Sequence, residues 1–440
     1  MRITSWLATT VTLAVLVVPA AADDLRRSLE ADYRTHLRAL YEHFHTYPEL
    51  SLQEHATAAR LAAELREADF DVTEGVGGTG VVAVMENGDG PTLMLRADMD
   101  ALPLREQTGL PFASTVRQST ASGKQSWVMH ACAHDTHMTG LVGAARQLAS
   151  MRDAWSGTLL LIGQPAEEIG AGARNMLDDG LFERFPTPDA VFAFHTFSQF
   201  PAGSIAYVSG PAMANVDSVD IRVRGVGGHG SAPHTAKDPI AVAGYIITAL
   251  QTLVARELDP LESGVVTIGA IHGGTTHNII PNEVRMQLTV RSYTDDVRKR
   301  LLDGIERIAH AQAASAGLPD ELMPEVSWRE RYTPATVNDP ELTERAVAVL
   351  RQRFGDDQVR RVPPVMGGED FGRFGRTAQR IPIFMFWVGG TPADVFEAHR
   401  ARGEAPPANH SPFFAPDAET AVTMGAEGFV ALVLDHLGPH

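Results

Sequence analysis

His130-Ala-Cys-Ala-His-Asp-Thr-His137 contains three histidines and the only cysteine of the 440-residue chain. A thiolate and a neutral imidazole two residues apart, such as Cys132 and His134, can bind the same divalent ion if the backbone is extended or turning there. A lone cysteine is otherwise often a small core residue. The stretch therefore predicts a metal site whose remaining ligands come from elsewhere in the chain.

Predicted strands with polar residues just beyond their carboxyl ends alternate with helices on both sides of this stretch. Residues 92–96 lead into Arg96-Ala-Asp-Met-Asp-Ala-Leu-Pro103, residues 157–163 lead into Gln164-Pro-Ala-Glu-Glu168, and residues 190–194 end at His195. An open α/β sheet with a site along one edge requires this arrangement. The chain is also longer than one hydrophobic core usually allows, so we expect two domains.

The pattern changes near residue 216. Val219-Asp-Ile-Arg-Val-Arg224 alternates like a half-exposed strand, and the chain continues to residue 331 as helix, two strands, helix and strand. The order βαββαβ is that of a ferredoxin-like α+β unit. We therefore predict a lid domain at 216–331, inserted between two parts of a catalytic α/β domain at 23–215 and 332–440.

The first 22 residues are typical of a bacterial export signal. Arg2 precedes an apolar run from Trp6 to Val18, and Pro19-Ala-Ala-Ala22 supplies the small residues that signal peptidases favour. A membrane anchor is the alternative, but the run is shorter than the ~20 residues of a spanning helix. We expect an exported protein, periplasmic or secreted, with no stable membrane insertion after cleavage.

Composition and charge are those of an ordinary globular enzyme. Apolar residues make up 44% and charged residues 21% of the chain, and the net charge is −17. Because an acidic surface repels phosphate backbones, this charge argues against nucleic acid as a partner, although it leaves anionic small molecules open.

The candidate metal ligands outnumber the needs of one ion. They are Cys132, His134, Glu168, His195 and His410. A tetrahedral zinc that keeps an open position takes only three protein ligands, so we expect two divalent ions. Glu167 stands beside Glu168, so one carboxylate can bind metal while the other transfers a proton. Asp100 and Asp135 are predicted to orient imidazoles.

Six motifs together resemble the aminoacylase and dipeptidase family of two-metal peptidases, the M20 peptidases. The match is best with the amidohydrolase branch, which includes hippurate hydrolases, N-acyl amino acid deacylases and auxin conjugate hydrolases. Besides the three motifs quoted above, the resemblance rests on Gly227-Gly-His-Gly-Ser-Ala-Pro-His234, Gly274-Thr-Thr-His-Asn-Ile-Ile-Pro281 and Gly368-Glu-Asp-Phe371.

The resemblance implies hydrolysis of the amide between an acyl group and an amino acid by a centre of two divalent ions, zinc or manganese. The five donors above match the family's metal ligands, and Glu167 matches its general base. His229 matches an imidazole that steadies the oxyanion, and Asn278 matches an amide that contacts the substrate. Ala133 departs from the usual glycine, and a left-handed backbone there would cost ~1–2 kcal/mol.

Three questions stay open at this stage. A metallo-dipeptidase or carboxypeptidase on the same scaffold is the nearest alternative function, and a non-catalytic small-molecule binding protein is a more distant one. Arg291 is a candidate for binding the substrate carboxylate, although it could be structural. A homodimer through the lid is possible. We interpret His43 and His45 as parts of a polar loop between two helices, and His234 and His277 as residues of glycine-rich loops.

Overall fold

The structure, a computed structural model, describes residues 18–439. Its helices are α1 (Val18–Asp32), α2 (Arg38–Thr46), α3 (His55–Glu67), α4 (His134–Ser150), α5 (Gly172–Asp178), α6 (Leu181–Arg184), α7 (Pro239–Thr252), α8 (Asp295–Ser315), α9 (Pro340–Phe354), α10 (Ala393–Ala401) and α11 (Ala418–Leu437). A π-helical turn, Tyr33–Leu37, joins α1 to α2, and another, Leu253–Glu257, extends α7. A 3₁₀ segment spans Asp370–Arg376.

The strands fall into a large sheet, a smaller sheet and short pairs. They are β1 (Asp71–Val76), β2 (Gly80–Asn87), β3 (Thr92–Asp98), β4 (Arg117–Ser119), β5 (Gln125–Trp127), β6 (Gly157–Gln164), β7 (Ala190–Pro201), β8 (Ile205–Tyr207), β9 (Gly210–Met213), β10 (Asn215–Arg224), β11 (Gly228–His229), β12 (Gly264–Gly273), β13 (Ile279–Ile280), β14 (Glu283–Ser292), β15 (Glu325–Trp328), β16 (Thr336–Asn338), β17 (Val359–Arg361) and β18 (Ile383–Thr391).

The large domain is built on a mixed sheet with the strand order β1-β2-β6-β3-β7-β18-β8-β17. Strands β6, β3, β7 and β18 run parallel in its centre, and antiparallel pairs flank them. The central strands are almost entirely apolar and buried, because helices cover both faces. The predicted α/β sheet is confirmed.

Each face of this sheet has its own core. Leu95 and Phe386 belong to the core that includes α4 and α11. Met94 and Met385 belong to the opposite core, which includes Met176 of α5. The sheet is therefore held rigidly from both sides, and its strand ends provide fixed positions for polar side chains.

The lid is an antiparallel sheet with the order β12-β14-β10-β15, packed on one face against α7 and α8. In β10, inward and outward residues alternate as the sequence predicted. The ferredoxin-like fold is confirmed. Where the chain leaves and re-enters the large domain, β9 and β16 pair, with Met213 opposite Thr336. The two connections to the lid thus lie side by side.

Two predicted boundaries were wrong. The sequence predicts a helix from Gly140 to Met151, because its apolar spacing is helical. Helix α4 instead begins at His134, because Ala133 turns the backbone into the left-handed region (φ 67°) and starts the helix without a side-chain cap. Strand β7 does not end at His195. It continues to Pro201 because residues 196–201 keep pairing with β18.

The predicted export signal, residues 1–22, lies mostly outside the described residues, which begin at residue 18. Among the described residues, the helices Pro239–Glu257 and Ala418–Leu437 are long and apolar enough to span a membrane by length and composition alone. Ala418–Leu437 is 72% buried in its apolar window, as a core helix is, and Pro239–Glu257 is 33% buried.

Candidate metal centre

The predicted ligands converge at the carboxyl ends of the central strands. Cys132 and His134 flank the start of α4, Glu168 follows β6, His195 lies in β7, and His410 lies in the loop between α10 and α11. Asn409 holds this last loop in place. Its side chain accepts a hydrogen bond from the Ser198 amide (2.8 Å) and donates one to the Thr196 carbonyl (3.0 Å).

Cys132 lies in the middle of the cluster. Its Sγ atom is 3.3 Å from Nε2 of His410 and 3.5 Å from Nε2 of His195. Glu168 lies between two imidazoles, with Oε2 3.5 Å from His410 Nε2 and Oε1 3.9 Å from His134 Nε2. Two ligands of one zinc ion lie about 3.3–3.8 Å apart, given bond lengths of ~2.0–2.3 Å. The spacing in the cluster is close to that of a metal centre.

The hydrogen bonds of the histidines leave ligand atoms free. His134 Nδ1 donates to the carbonyl of Asp100 (2.8 Å), and His195 Nδ1 donates to the carbonyl of Thr196 (2.9 Å). Each ring therefore turns its Nε2 to the cluster, where this nitrogen can bind a cation in its unprotonated form. Within the described part of the chain, His134 Nε2 and Glu168 Oε1 are buried with no hydrogen-bond partner. Orphaned polar atoms are costly unless a ligand binds them, so the donor set fits divalent cations.

The charges of the cluster also fit cations. Burial, followed by Glu168 and Glu167, raises the pKa of the Cys132 thiol well above its ordinary value. Burial raises the pKa of Glu168 to about 8, although His134 lowers it in part. Burial and the nearby Glu369 raise the pKa of Glu167 strongly. The side chains alone would therefore hold protons, and divalent cations would displace them, because metal binding and ligand deprotonation are linked.

Asp100 holds the loop that carries Glu167 and Glu168 in place. The carboxylate of Asp100 accepts hydrogen bonds from the amides of Glu167 (3.1 Å) and Glu168 (3.0 Å). The amide of Ala166 donates to Glu54 (2.8 Å), a buried carboxylate. Asp100 also orients His134, since its backbone carbonyl accepts from Nδ1 and its Oδ1 lies 3.4 Å from the same nitrogen. The predicted contact of this carboxylate with an imidazole is present, and its hydrogen bonds to the two glutamate amides were not predicted.

Three of the six non-glycine residues with positive φ in the described part of the chain lie at the cluster. Ala133 (φ 67°), Ala166 (φ 50°) and His410 (φ 70°) all adopt positive φ, which non-glycine residues rarely do. Each of them is a predicted ligand, precedes one, or precedes Glu167. Such conformations persist only where the surroundings enforce them, and they cluster at functional sites.

A buried arginine lies under the site, a feature that the sequence reasoning missed. Arg96 pairs with Asp98 (2.7 Å) and Glu369 (2.8 Å), and its Nε donates to Gln164 (2.9 Å). Asp370 accepts a hydrogen bond from the Gln164 amide (2.6 Å). The guanidinium thus ties β3, β6 and the Asp370–Arg376 segment together. The adjacency of Arg96 and Asp98 at a strand end was the available signal.

Asp135 does not orient a predicted ligand, which corrects the sequence interpretation. Its carboxylate lies 2.7 Å from Nδ1 of His45, whose Nε2 lies 3.0 Å from Glu106. His45 is only 1% exposed, so its interpretation as a polar loop residue was also wrong. Burial lowers the pKa of His45, but the hydrogen bonds to both carboxylates outweigh burial and raise the pKa to about 9. A buried imidazolium thus links α2 to the first turn of α4.

His137 is not available as a ligand. Its Nδ1 lies 2.5 Å from Asp98, and its Nε2 accepts a hydrogen bond from the Thr196 amide (2.7 Å). With both nitrogens occupied, the ring has no free lone pair for a metal. His134 differs from His137 in that its Nε2 is unpaired and lies 3.9 Å from Glu168 Oε1.

The lid residues predicted to contact substrate do not reach the cluster in this structure. His229 and Asn278 lie on the paired strands β11 and β13 and the loop beside them. Both are exposed, and neither lines the cavity above the donors. His277 is an exposed loop residue, and His234 is exposed in a short 3₁₀ turn, Pro233–Thr235.

The cavity above the donors has a volume of about 490 Å³. Its floor includes Cys132, Glu167, Glu168, His195 and His410. Arg291 of β14 lies in its wall, with Nη1 3.4 Å from the carbonyl of Met366. The site therefore lies between the large domain and the lid.

Comparison with known proteins matches residues 94–403 to peptidase family M20/M25/M40. The chain is 40% identical over 349 residues to thermostable carboxypeptidase 1 of Saccharolobus solfataricus, which covers 78% of this chain and 83% of that protein. It is 39% identical over 345 residues to hippurate hydrolase of Campylobacter jejuni, covering 78% and 86% of the two chains.

A solved structure shows the same architecture. The crystal structure of the Bacillus subtilis YXEP protein, a dinuclear metal binding peptidase from the M20 family, superposes with a TM-score of 0.74 at 32% sequence identity. The match covers 93% of this chain and 98% of that one. Both the α/β domain and the lid are therefore shared.

Proposed function

This chain belongs to peptidase family M20/M25/M40 and is a metal-dependent hydrolase of amide bonds, and we propose that its substrates are N-acyl amino acids. In this proposal two divalent ions, zinc or manganese, bind at Cys132, His134, Glu168, His195 and His410. Glu167 is the general base. The products are a carboxylic acid and a free amino acid.

The proposal rests on the position of Glu167, which lies beside the donor cluster but is not one of the five predicted ligands. Its Oε2 lies 4.0 Å from His134 Nε2, and its side chain is largely buried but lines the cavity. A carboxylate at this position can take a proton from an attacking water and deliver it to the departing nitrogen. Bound divalent cations would polarise the amide carbonyl and lower the pKa of water.

Arg291 supports an amino acid as the leaving half of the substrate. Its guanidinium lies in the cavity wall, and burial lowers its pKa. Its guanidinium donates hydrogen bonds to the Thr289 hydroxyl and to the Met366 carbonyl, and no carboxylate among the described residues pairs with it. An arginine with donors to spare suits a planar, bidentate carboxylate. We assign it to the α-carboxylate of the substrate.

His229 and Asn278 enter the proposal through movement of the lid. Both side chains are polar and exposed, and both lie on the same short β11–β13 element. Closure of a lid can bring donors to the point where negative charge develops and can exclude water at the same time. We assign His229 to the oxyanion and Asn278 to the substrate amide in the closed state.

A carboxypeptidase or dipeptidase is the second candidate, because one of the similar proteins is a thermostable carboxypeptidase. The two activities differ in whether the acyl side bears a free amine. A free ammonium group would need an acidic or carbonyl partner away from the scissile bond. A binding protein without catalysis is disfavoured, because it would have no use for Glu167.

The deciding experiment is a product assay with the metal-loaded protein. We expect release of glycine from benzoylglycine and from N-acetylglycine, with slower cleavage of glycyl dipeptides. Separate loading with zinc and with manganese identifies the more active metal. Faster cleavage of dipeptides than of acyl amino acids would replace the proposal with the peptidase alternative.

We also propose export and dimerisation. Residues 1–22 support export through their charged start, apolar run and small-residue end. Sequencing the amino terminus of the protein recovered from the bacterial periplasm or medium tests this.

The lid supports a homodimer, because Ile240 and Tyr245 of α7 are 47% and 57% exposed and β12 is an edge strand. Sedimentation of the wild type against Tyr245→Lys tests the dimer.

A further inference from the structure

Two further arginines line the same cavity wall as Arg291. Arg329 and Arg331 lie on the segment between β15 and β16, where the chain returns from the lid to the large domain. Both are exposed, and no described carboxylate forms an ion pair with either. The intervening Glu330 does not line the cavity. A chain of net charge −17 therefore concentrates unpaired positive charge at this wall.

Other arginines of the lid have carboxylate partners. Arg222 pairs with Glu283 (2.7 Å), Arg224 with Glu325 (3.2 Å), and Arg298 with Asp217 (2.7 Å). Each of these arginines lies outside the cavity. Among the described lid arginines outside the cavity, Arg256 alone lacks a carboxylate partner and bonds to a backbone carbonyl instead. Because the others are paired, the unpaired arginines gathered in the cavity wall point to an anion that comes from outside the chain.

The segment that carries Arg329 and Arg331 is anchored rather than loose. The guanidinium of Arg298 lies 3.5 Å from the ring centroid of Tyr332, and the Tyr332 carbonyl accepts a hydrogen bond from Arg373. Thr333 exchanges backbone hydrogen bonds with Val216 (2.8 and 3.2 Å). The backbone that carries Arg329 and Arg331 is thus held in place at the rim of the cavity.

The anchored segment abuts the loop of the catalytic glutamates. A Cβ atom added to Gly170, two residues beyond Glu168, would lie 2.1 Å from Thr333 Oγ1. Arg291 lies on the adjoining part of the wall, because its strand partner Val216 also pairs with Thr333. A Cβ atom added to Gly368 would be 3.5 Å from Arg291 Nη1. The cavity wall therefore carries three arginines, Arg291 on β14 and Arg329 and Arg331 on the neighbouring segment that abuts Gly170.

We propose that the preferred substrates carry two carboxylates, the second of which binds Arg329 and Arg331. This inference rests on the proposed function, in which Arg291 binds the α-carboxylate. Two guanidinium groups can hold one carboxylate through several charge-assisted hydrogen bonds. The second carboxylate belongs either to an acidic amino-acid side chain or to a dicarboxylic acyl group, and the two sources present the same chemistry to the arginines.

The test compares kcat/KM for matched substrate pairs with the metal-loaded protein. One pair is N-acetylglutamate and N-acetylglutamine, and the other is N-succinylglycine and its terminal amide, N-succinamoylglycine. We expect the charged member of at least one pair to be favoured about tenfold or more, the effect of one charged hydrogen-bonded contact. The favoured pair identifies whether the amino acid or the acyl group supplies the second carboxylate.

Variants assign the preference to the arginines. The double variant R329Q/R331Q should bring the ratio of kcat/KM values within a pair close to one, and each single variant should lower it in part. R329K/R331K should retain most of the ratio because the charge remains. The control is Arg285→Gln, on the same strand as Arg291 but outside the cavity, which should keep the wild-type ratio.

The outcomes separate the inference from the proposed function. If the wild type hydrolyses neutral acyl amino acids but prefers neither charged member, the inference is wrong and the proposed function stands. If the preference exists but survives in R329Q/R331Q, these arginines do not bind the second carboxylate. If no acyl amino acid is hydrolysed, both proposals fail.

Discussion

The Sγ atom of Cys132 lies 3.3 Å from Nε2 of His410, although 278 residues separate them in sequence. The same sulfur lies 3.5 Å from His195. A buried thiol whose pKa is raised by burial and by neighbouring carboxylates gains its negative charge only in the presence of a cation. The contact between a sulfur and two imidazoles is therefore the feature on which a metal centre depends.

Replacing the sulfur should weaken metal binding. Loss of a residue that only orients a ligand lowers metal affinity about 10- to 100-fold. We expect Cys132→Ser to lower it by more, because the substitution removes a ligand. Metal content per chain after gel filtration, and titration with zinc, measure this. His272→Gln, which changes an exposed lid histidine, is the matched control and should keep the full content. Unchanged zinc affinity in Cys132→Ser would exclude Cys132 as a ligand.

The two adjacent glutamates should give opposite phenotypes. Glu167→Gln should lower kcat by about 10²- to 10⁴-fold while both ions stay bound, because it removes proton transfer but no ligand. Glu168→Gln should lose metal, because Glu168 lies 3.5 Å from His410 and 3.9 Å from His134. Metal analysis and steady-state kinetics on the two variants separate these effects. A Glu167→Gln enzyme with the wild-type rate and full metal content would refute the general-base role.

His45 should make stability depend on pH. Its pKa is about 9 in the folded protein and near the ordinary 6.5 when unfolded. Its contribution, about 3 kcal/mol, is therefore fully present below pH 6.5 and lost as pH rises towards 9. In urea unfolding of the metal-free protein, the gap in free energy of unfolding between wild type and His45→Gln should shrink across this range. For His43→Gln, two residues away, the difference in free energy of unfolding from wild type should not change in this way. A difference for His45→Gln that stays constant with pH would show that the ring is not an imidazolium.

The lid should be separable from the large domain. Its core is its own, and Met213 pairs with Thr336 where the two connections meet. Joining Ala214 to Ala335 through Asn-Gly should form a tight hairpin, because this dipeptide favours the required turn. We expect the shortened protein to unfold cooperatively and to bind metal, but to lose hydrolysis because Arg291, His229 and Asn278 are absent. Aggregation of the shortened protein, with a lid fragment that also fails to fold, would show that the two parts depend on each other.

Ala133 should be close to neutral when changed to glycine. Relief of its left-handed conformation gains ~1–2 kcal/mol, but the buried methyl group contributes ~0.8 kcal/mol and glycine adds ~0.4–1 kcal/mol of freedom to the unfolded chain. The free energy of unfolding should therefore change by less than about 1 kcal/mol. Ala133→Val should cost about 1–3 kcal/mol, because a β-branched side chain tolerates this backbone poorly. Urea unfolding of both variants measures these values, and a large gain from glycine would mean that the methyl group is not packed.

Most of the fold could be predicted from sequence because its signals are local. Apolar runs such as Leu159–Ile162 and the alternation in Val219–Arg224 depend only on neighbouring residues. The candidate donors could be predicted as well, because they belong to short motifs of neighbouring residues at the ends of predicted strands. The start of α4 could not be predicted from the residue itself, because Ala133 provides no capping side chain and alanine is not typical of a left-handed turn.

What the sequence did not indicate depends on contacts between distant residues. His45 meets Asp135 across 90 positions and Glu106 across 61. Arg96 meets Glu369 across 273 positions. A buried charge and a solvated one have the same letter in a sequence, and only the packed structure shows which partners compensate the loss of water. The roles of Arg329 and Arg331 likewise emerge only from a cavity wall shared by two domains.

The distance between Cys132 and His410 along the chain has a consequence for biosynthesis. Residue 132 emerges before residue 410 both from the ribosome and from an export channel, and the lid, which has its own core, can fold in between. During that interval the nascent chain offers an incomplete set of donors, with the thiol still lacking one of its two imidazoles. We therefore expect incorporation of the ions late in maturation, and chains truncated before residue 410 should lack a complete centre.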